Sequence, residues 1–214
     1  MIKVGTQDIA DIPGVMKVTV GSQVVWFNPA LVPAGYRKLT GIVFDGEVWY
    51  ETNIKLQGSD TIRLSFRMSV TACNVLGSYS SGSADNNYSL YTSTSTSAKY
   101  MRYNGSTYSS YISINTDYNV ELTPTGTNGL RNDSTWTQKS FTTDNNMYIG
   151  ITSVETSSAK FTGTMYGNIE IVNKAVYVPV ERVSDGAIGY YEAISGTFLT
   201  NQGTGTPVSL GYAS

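Results

Sequence analysis

Histidine is absent from the 214 residues, and cysteine occurs once, at position 73. The missing histidine removes Ser-His-Asp and Cys-His nucleophiles, His-ligated zinc and the commonest general base. A single cysteine removes an internal disulfide and a Cys-rich zinc site. Cys73 lies in the apolar stretch "VTACNVLGS" and reads as a buried small hydrophobe. Charge is scarce as well: 14% of residues are charged, with a net charge of -2, where about a quarter is usual. No Lys/Arg stripe exists to displace counterions from phosphates, which argues against nucleic acid as a partner. No apolar run approaches the ~20 residues that span a bilayer, so no membrane insertion is expected. The opening "MIKVGTQDIADIPGV" has no continuous apolar core. It does not read as a signal peptide, and synthesis in a cytoplasm is expected.

Carboxylates are then the remaining catalytic candidates. A glycosidase needs two of them, about 5 to 9.5 Å apart. In "GEVWYET", strand alternation puts Glu47 and Glu51 on one face, but about 13 Å apart at the usual rise per residue. No phosphate-binding loop of the G-x-x-x-x-G-K-S/T type occurs. The residue inventory points to a protein that is not an enzyme and needs no cofactor.

Ser, Thr, Asn, Gly and Tyr fill the place of the missing charges, with 16 tyrosines against 6 phenylalanines. From about residue 40 the pattern is short runs of period two, divided by turn residues. In "DTIRLSFRMS", Ile62, Leu64, Phe66 and Met68 fall on one face and Arg63, Ser65, Arg67 and Ser69 on the other. Asn104-Gly105 is a strong hairpin signal. The run "YTSTSTSAKY" reads as strand rather than disorder. In the last third, Ile169 and Ile171 share one face, and Val176 and Val178 share another. No helix of ten residues or more is predicted, and turn signals recur every eight to twelve residues. The expectation is an all-β, antiparallel two-sheet jelly-roll sandwich.

The chain divides into three parts. Residues 1–28 contain "VMKVTVGSQVVWF", two alternating runs about Gly21-Ser22, which predict a hairpin with a type II′ turn. In that register Val20 faces Gln23, Val18 faces Val25 and Met16 faces Phe27. Both faces are substantially apolar, and an isolated hairpin is marginal in water. Cover comes either from its own domain or from another subunit, with Val18, Val20, Val25, Trp26 and Phe27 as the assembly interface in the second case. Residues 29–36, rich in Pro and Gly, read as a linker that packs by Leu31 and Tyr36. Residues 37–214 form the jelly-roll domain.

The ordered segments "VPAGYRKL", "NIKLQGSDTIRLSFRMS", "NVLGSYSS", "MYIG", "AKFTGTMYGNIEIVN" and "YVPVERVSDGAIGYYEAISGTFLTNQGTG" carry a resemblance. Their order resembles the concanavalin-like, laminin-G-like jelly-roll domains of tailed-bacteriophage virion proteins. The stretch "VMKVTVGSQVVW" is similar to N-terminal hairpins of phage tail and minor structural proteins. The resemblance covers almost the whole chain, and "SDGAIGYYEAISGTFLTNQGTG" is its most specific part. It implies a virion component made in the host cytoplasm. Such components contact other virion proteins and often the host surface. Copies that bury the hairpin around an axis would form a closed homo-oligomer, and the resemblance implies a trimer. The related β-glucanases carry a compact E-x-D-x-x-E strand motif, which this sequence lacks.

Within "SDGAIGYYE" the Asp185-Gly186 turn is expected to set a hairpin register and dock the tyrosines. "SGTFLTNQGTG" is expected to turn again and bury Phe198 and Leu199. A glycan-binding face pairs an aromatic platform with amides and hydroxyls. Alternation makes Tyr111 and Tyr91 the exposed aromatics, with Arg102 and Asn104 nearby on the chain and Trp136 in a polar loop. These five are the candidate ligand-binding residues. Asp85-Asn86-Asn87 and Asp144-Asn145-Asn146 have calcium-type oxygen ligands but read as turns, so no metal site is assigned. Three functions compete: a tail- or fibre-associated adhesin for host surface glycan, a head decoration or fibre protein with protein contacts alone, and a carbohydrate-active enzyme.

Overall fold

The computed structural model describes residues 32–80, 85–92, 103–109, 112–154 and 159–213. It describes the backbone alone of residues 3–4, 7–8, 17–20, 23–27, 99–102 and 110. The strands of the N-terminal part are β1 (Lys3–Val4), β2 (Gln7–Asp8), β3 (Lys17–Val20) and β4 (Gln23–Phe27). Next come β5 (Tyr36–Lys38), β6 (Gly41–Asp45), β7 (Tyr50–Glu51), β8 (Ile62–Met68), β9 (Asn74–Ser78) and β10 (Tyr88–Thr92). The middle of the chain supplies β11 (Lys99–Tyr103), β12 (Ser106–Ser110), β13 (Asp117–Thr123), β14 (Gly126–Asn128) and β15 (Tyr148–Ile149). The last five are β16 (Thr162–Ile171), β17 (Ala175–Arg182), β18 (Ala187–Glu192), β19 (Thr197–Leu199) and β20 (Val208–Ser209). Among the described residues there is no helix, and every strand pairing is antiparallel.

Two large sheets enclose one core. The smaller runs β12-β11-β10-β9-β15-β7, and the larger runs β14-β13-β8-β16-β17-β18-β19, with β5, β6 and β20 attached beside that path. The alternation read in β8 holds at every position: Ile62, Leu64, Phe66 and Met68 are buried, and the residues between them are not. Asn104 and Gly105 have φ of 47° and 77° and join Tyr103 to Ser106, as the two-residue primed turn requires. Cys73 is fully buried.

Two connections differ from simple hairpins. The Asp45-Gly46 turn lies between β6 and β7, yet these strands belong to different sheets. The turn therefore carries the chain across the sandwich rather than closing a pair. Strand β16 holds two partners end to end along one edge, β6 at Thr162–Tyr166 and β17 at Ile169–Ile171. The change of partner falls at a bulge that contains Gly167, in the left-handed region at φ +56°. A bulge bends the strand and re-aims its later residues.

Tyrosine does much of the core work here. Tyr50, Tyr88, Tyr103, Tyr177 and Tyr190 are among the largest fully buried side chains, beside Phe44, Phe66 and Phe161. Burial of each such ring is worth roughly 1.5–3 kcal/mol, provided the hydroxyl finds a partner. Tyr88 donates to Asp60 O at 2.9 Å and Tyr103 to Gly58 O at 2.7 Å. Part of the hydroxyl-rich composition thus serves the inside of the sandwich.

The final stretch places its residues by alternation. Tyr190 enters the main core, while Tyr191 points to the other side of the large sheet, into a second cluster with Val178, Val180 and Ala193. Tyr36 covers that cluster, 5.1 Å from Tyr191 and 5.6 Å from Phe198 by ring centroids. Val32 packs there too, so the described end of the linker is anchored, and Tyr36 itself belongs to β5. Leu199 is buried, but Phe198 is only half-buried, with the Arg182 guanidinium 4.7 Å above its ring. Arg182 also grips Asp185 through two hydrogen bonds, at 3.0 and 2.6 Å, in the turn that sets the β17–β18 register.

The N-terminal hairpin forms, with one change of register. Val20 faces Gln23 as expected, but an irregularity between Val18 and Thr19 sets Val18 opposite Trp26 instead of Val25, and Lys17 rather than Met16 opposite Phe27. The strand containing Val25 carries the extra residue, which a period-two reading does not anticipate. The hairpin is a two-stranded sheet of its own. The side chains of Val18, Val20, Val25, Trp26 and Phe27 lie outside the described residues, as do Leu31, Met16 and the run 93–98.

Candidate functional site

Of the five residues expected to meet a ligand, two lie on neighbouring strands of the smaller sheet, one in the turn that follows, one in the core, and one outside the described residues. Tyr91 on β10 pairs with Tyr100 and Asn74, and Arg102 on β11 pairs with Ser89 and Thr107. Positions 91 and 102 thus fall on adjacent cross-strand rows of the same parity in the smaller sheet. Asn104 sits in the turn at the end of β11. Tyr111 lies outside the described residues. Trp136 is not an open platform in a polar loop: it is 8% exposed and belongs to the core cluster. Its ring stacks on Tyr103 at 5.2 Å and meets Tyr108 at 4.8 Å. The surrounding residues are polar in sequence, but Trp136 N donates to Thr125 O at 2.8 Å and the indole packs inward against the core. Trp136→Ala is therefore expected to cost about 3–5 kcal/mol of stability, read from the urea midpoint. A surface platform would lose almost nothing.

The two acidic trios come together. Asn86 Nδ2 donates to Asp144 Oδ1 at 3.4 Å, Asn87 Oδ1 accepts from Ser80 N, and Asn145 Nδ2 donates to Tyr79 O. Their carboxamides serve the turns. No group of three or more His, Cys, Asp or Glu that could hold a metal exists among the described residues. Glu47 and Glu51 also part company. Glu47 binds Lys160 and Thr204, and Glu51 accepts from Asn146 Nδ2 at 3.2 Å. The Lys160 ammonium holds the Glu47 carboxyl below its ordinary range, which suits an ion pair and not a proton donor.

A better-formed polar surface lies on the open face of the large sheet. Register aligns three rows across it. Val208, Val43, Thr164, Arg67 and Asp117 form the first; Gly41, Tyr166, Ser65 and Asn119 the second; Glu170, Arg63, Glu121 and Asn128 the third. All these side chains alternate with the core residues of the same strands, so a sheet with one wet face displays them together. Arg63 is fixed by two carboxylates, Glu121 Oε1 at 2.8 Å and Glu170 Oε2 at 3.3 Å. Both partners hold its guanidinium firmly in the charged form. Ser65 Oγ donates to Asn119 Oδ1 at 3.3 Å. In the first two rows Tyr166 bonds Asp117 and Arg67. Its hydroxyl is shifted upward, first by desolvation and then by Asp117.

Arg63, Asn119, Glu121, Asn128 and Gly129 line a recess of about 250 Å³ on this face. Gly129 closes the floor with φ +94°, and a Cβ there would sit 2.1 Å from Asn119 O. The exposed amides of Asn119 and Asn128 flank a guanidinium already bound to carboxylates. Such a surface can hydrogen-bond an uncharged polar ligand, and it offers an ion no unpaired counter-charge. Alternation by itself places Arg63, Ser65 and Arg67 on the wet face and assigns them no role. The sequence does hold a signal: R-x-S-x-R on one strand and D-x-N-x-E at Asp117, Asn119 and Glu121 on another. Only the β8–β13–β16 pairing shows that they meet.

Compared with known proteins, the chain matches no family model, and no curated protein matches it in sequence.

Proposed function

We propose that this chain is a non-enzymatic virion structural protein of a tailed bacteriophage, a concanavalin-like jelly roll that recognises host surface glycan. The observation that carries the recognition reading is the recess on the open sheet face, where every charge is paired and the amides of Asn119 and Asn128 stand free of the core. Sugar hydroxyls are satisfied by such amides and by the adjacent Ser65 and Thr164 hydroxyls. Tyr166 supplies an aromatic edge in the same face. The two antiparallel sheets around one core support the jelly-roll assignment, and the chain's own segment order supports the virion assignment. Absence of histidine and the separate engagement of Glu47 and Glu51 support a binding role over hydrolysis. The N-terminal hairpin, a sheet apart from the sandwich, supports docking of residues 1–28 on other virion chains in a closed homo-oligomer.

Adsorption of the purified protein to host cells tests the recognition reading. The double variant Asn119→Ala, Asn128→Ala keeps the fold, because both residues are exposed. Its adsorption is expected to fall about tenfold or more. Unchanged adsorption sinks the recess as the recognition surface. A wild-type protein that decorates particles and never adsorbs to cells favours the head-decoration role instead. Removal of residues 1–28 tests docking separately: the remaining domain should stay folded, become monomeric and fail to join particles. Normal assembly of the truncated protein would overturn it.

A further inference from the structure

The open face of the large sheet is not uniform. Over β8, β13 and β16 it carries polar rows, but over the adjoining four-strand arm β5-β17-β18-β19 it is apolar. Register builds the rows of that arm: Val178, Tyr191 and Phe198 in one, Lys38, Val180 and Gly189 in the next, and Tyr36, Arg182 and Ala187 in the third. Val178, Val180, Tyr191 and Ala193 are buried, and Val32, Tyr36, Val176 and Phe198 lie half-buried against them. A Cβ at Gly189 would fall 2.9 Å from the Phe198 ring, so the glycine lets that ring lie across the arm.

The main core lies between the two large sheets, whereas this cluster lies on the far side of the larger one. Among the described residues these eight make up the cluster, with the Arg182 guanidinium above Phe198. A water-facing sheet surface is ordinarily polar, and a contiguous apolar patch on it marks a place where something else packs.

The course of the chain singles out the occupant. Val32, a member of the cluster, is where residues 1–31 join the described domain. Phe27, the last residue of β4, precedes it by five positions, and five extended residues reach roughly 17 Å. Four adjacent strands are roughly 14 Å across at the usual spacing. The β3–β4 hairpin is thus tethered at the patch and long enough in reach to span it. A short tether gives a segment a millimolar effective concentration, which favours a chain's own hairpin over a neighbour's. The hairpin register sets Val18, Val20, Gln23 and Trp26 on one side and Lys17, Thr19, Val24 and Phe27 on the other.

We propose that the hairpin of residues 17–27 packs over the β5-β17-β18-β19 arm of its own chain as a third layer, with the side of positions 18, 20 and 26 toward the Tyr36 and Phe198 cluster. The side of positions 19, 24 and 27 is left for a neighbouring chain. The packing depends on no host or virion assignment, and it leaves the recess of Arg63 and Asn119, on the other part of the sheet, open.

Paramagnetic broadening in the full-length protein tests this. Cys73 is fully buried, so Ser22→Cys, between β3 and β4, gives a nitroxide label one accessible thiol. Isotope-labelled, spin-labelled chains diluted into excess unlabelled wild type report only on their own hairpin. Amides of β17, β18 and β19 are expected to broaden severalfold more than those of Asn119 and Asn128, and reduction of the nitroxide to restore them. Trp26→Ser in the same chain should abolish most of that broadening while the amide shifts of β8 and β13 stay in place. Broadening absent from the arm, or centred on the strands of Arg63 and Asn119, overturns the proposal. Arm broadening that survives Trp26→Ser overturns it as well. Arm broadening seen only in the reverse mixture, with the spin label on the unlabelled chains, gives the patch to a neighbour's hairpin and also overturns it.

Discussion

Raising the pH above about 10 should unfold this protein cooperatively, whereas its stability should stay nearly flat across the neutral range. Flatness follows from the absence of histidine, the one side chain that ordinarily titrates there. The alkaline collapse follows from the core. Tyr50, Tyr88, Tyr177 and Tyr190 are at most 1% exposed. Burial, the leading cause at each, pushes every one of these phenols well above its ordinary range. In the unfolded chain a tyrosine loses its proton near pH ~10. Above that pH the unfolded state binds fewer protons than the native one, so native stability falls as pH rises. The stabilisation is complete below the unfolded pKa and lost above it. Each buried phenol removes about 1.4 kcal/mol per pH unit, so four remove about 5 kcal/mol by about pH 11. That rivals the whole stability of an ordinary domain, roughly 5–15 kcal/mol. Tyrosinate absorbance and near-ultraviolet circular dichroism, recorded together against pH, check this. The exposed tyrosines should ionise first with structure intact. The buried ones should ionise only as the tertiary signal disappears, and Tyr177→Phe should move that point upward. All tyrosines titrating together near pH ~10, with structure retained, would refute the described core.

Gly77→Ala should prevent accumulation of the folded protein, although it adds one methyl group. Gly77 sits in β9 with φ +136°, where an L residue is strained. A Cβ there would lie 2.4 Å from both Ser89 Cα and Tyr88 O of the adjacent β10. Both obstacles are backbone in the middle of the smaller sheet, so neither can move aside as a flexible side chain would. Strain and clash together are expected to exceed about 4 kcal/mol, in the range reserved for specific structural failures. Gly167→Ala is the matched control. Its φ is +56° and nothing lies within 4 Å of the added Cβ, so its cost should be about 1–2 kcal/mol. Urea midpoints and soluble yield of the two variants separate these outcomes. Similar losses for both would mean that β9 and β10 are not paired as described.

Much of the architecture is local and therefore legible in the chain itself. Strand alternation in β8, the Asn104-Gly105 turn and the burial of Cys73 all depend on local pattern and on turn chemistry. Neither needs to know the partner strand. The lack of histidine likewise removes whole classes of catalysis without reference to any fold. Where local pattern and context disagree, context prevails. Trp136 stands among polar residues, yet it caps Tyr103 and Tyr108. The hairpin register obeys its turn at the first pair and then slips at a bulge.

Composition and alternation thus determined an all-β chain, with a wet and a dry side in strands such as β8, and poor in the groups that catalyse. Tertiary structure alone decided which strands are neighbours. It sent the Asp45-Gly46 turn across the sandwich, gave β16 two partners, brought Arg63 to Glu121 and Glu170, and gathered Val32, Tyr36, Val178 and Phe198 into one cluster. The physical reason is that alternation is settled by adjacent residues. Strand pairing instead sums weak contacts between segments a hundred positions apart, and no local period records which distant segment completes the sum.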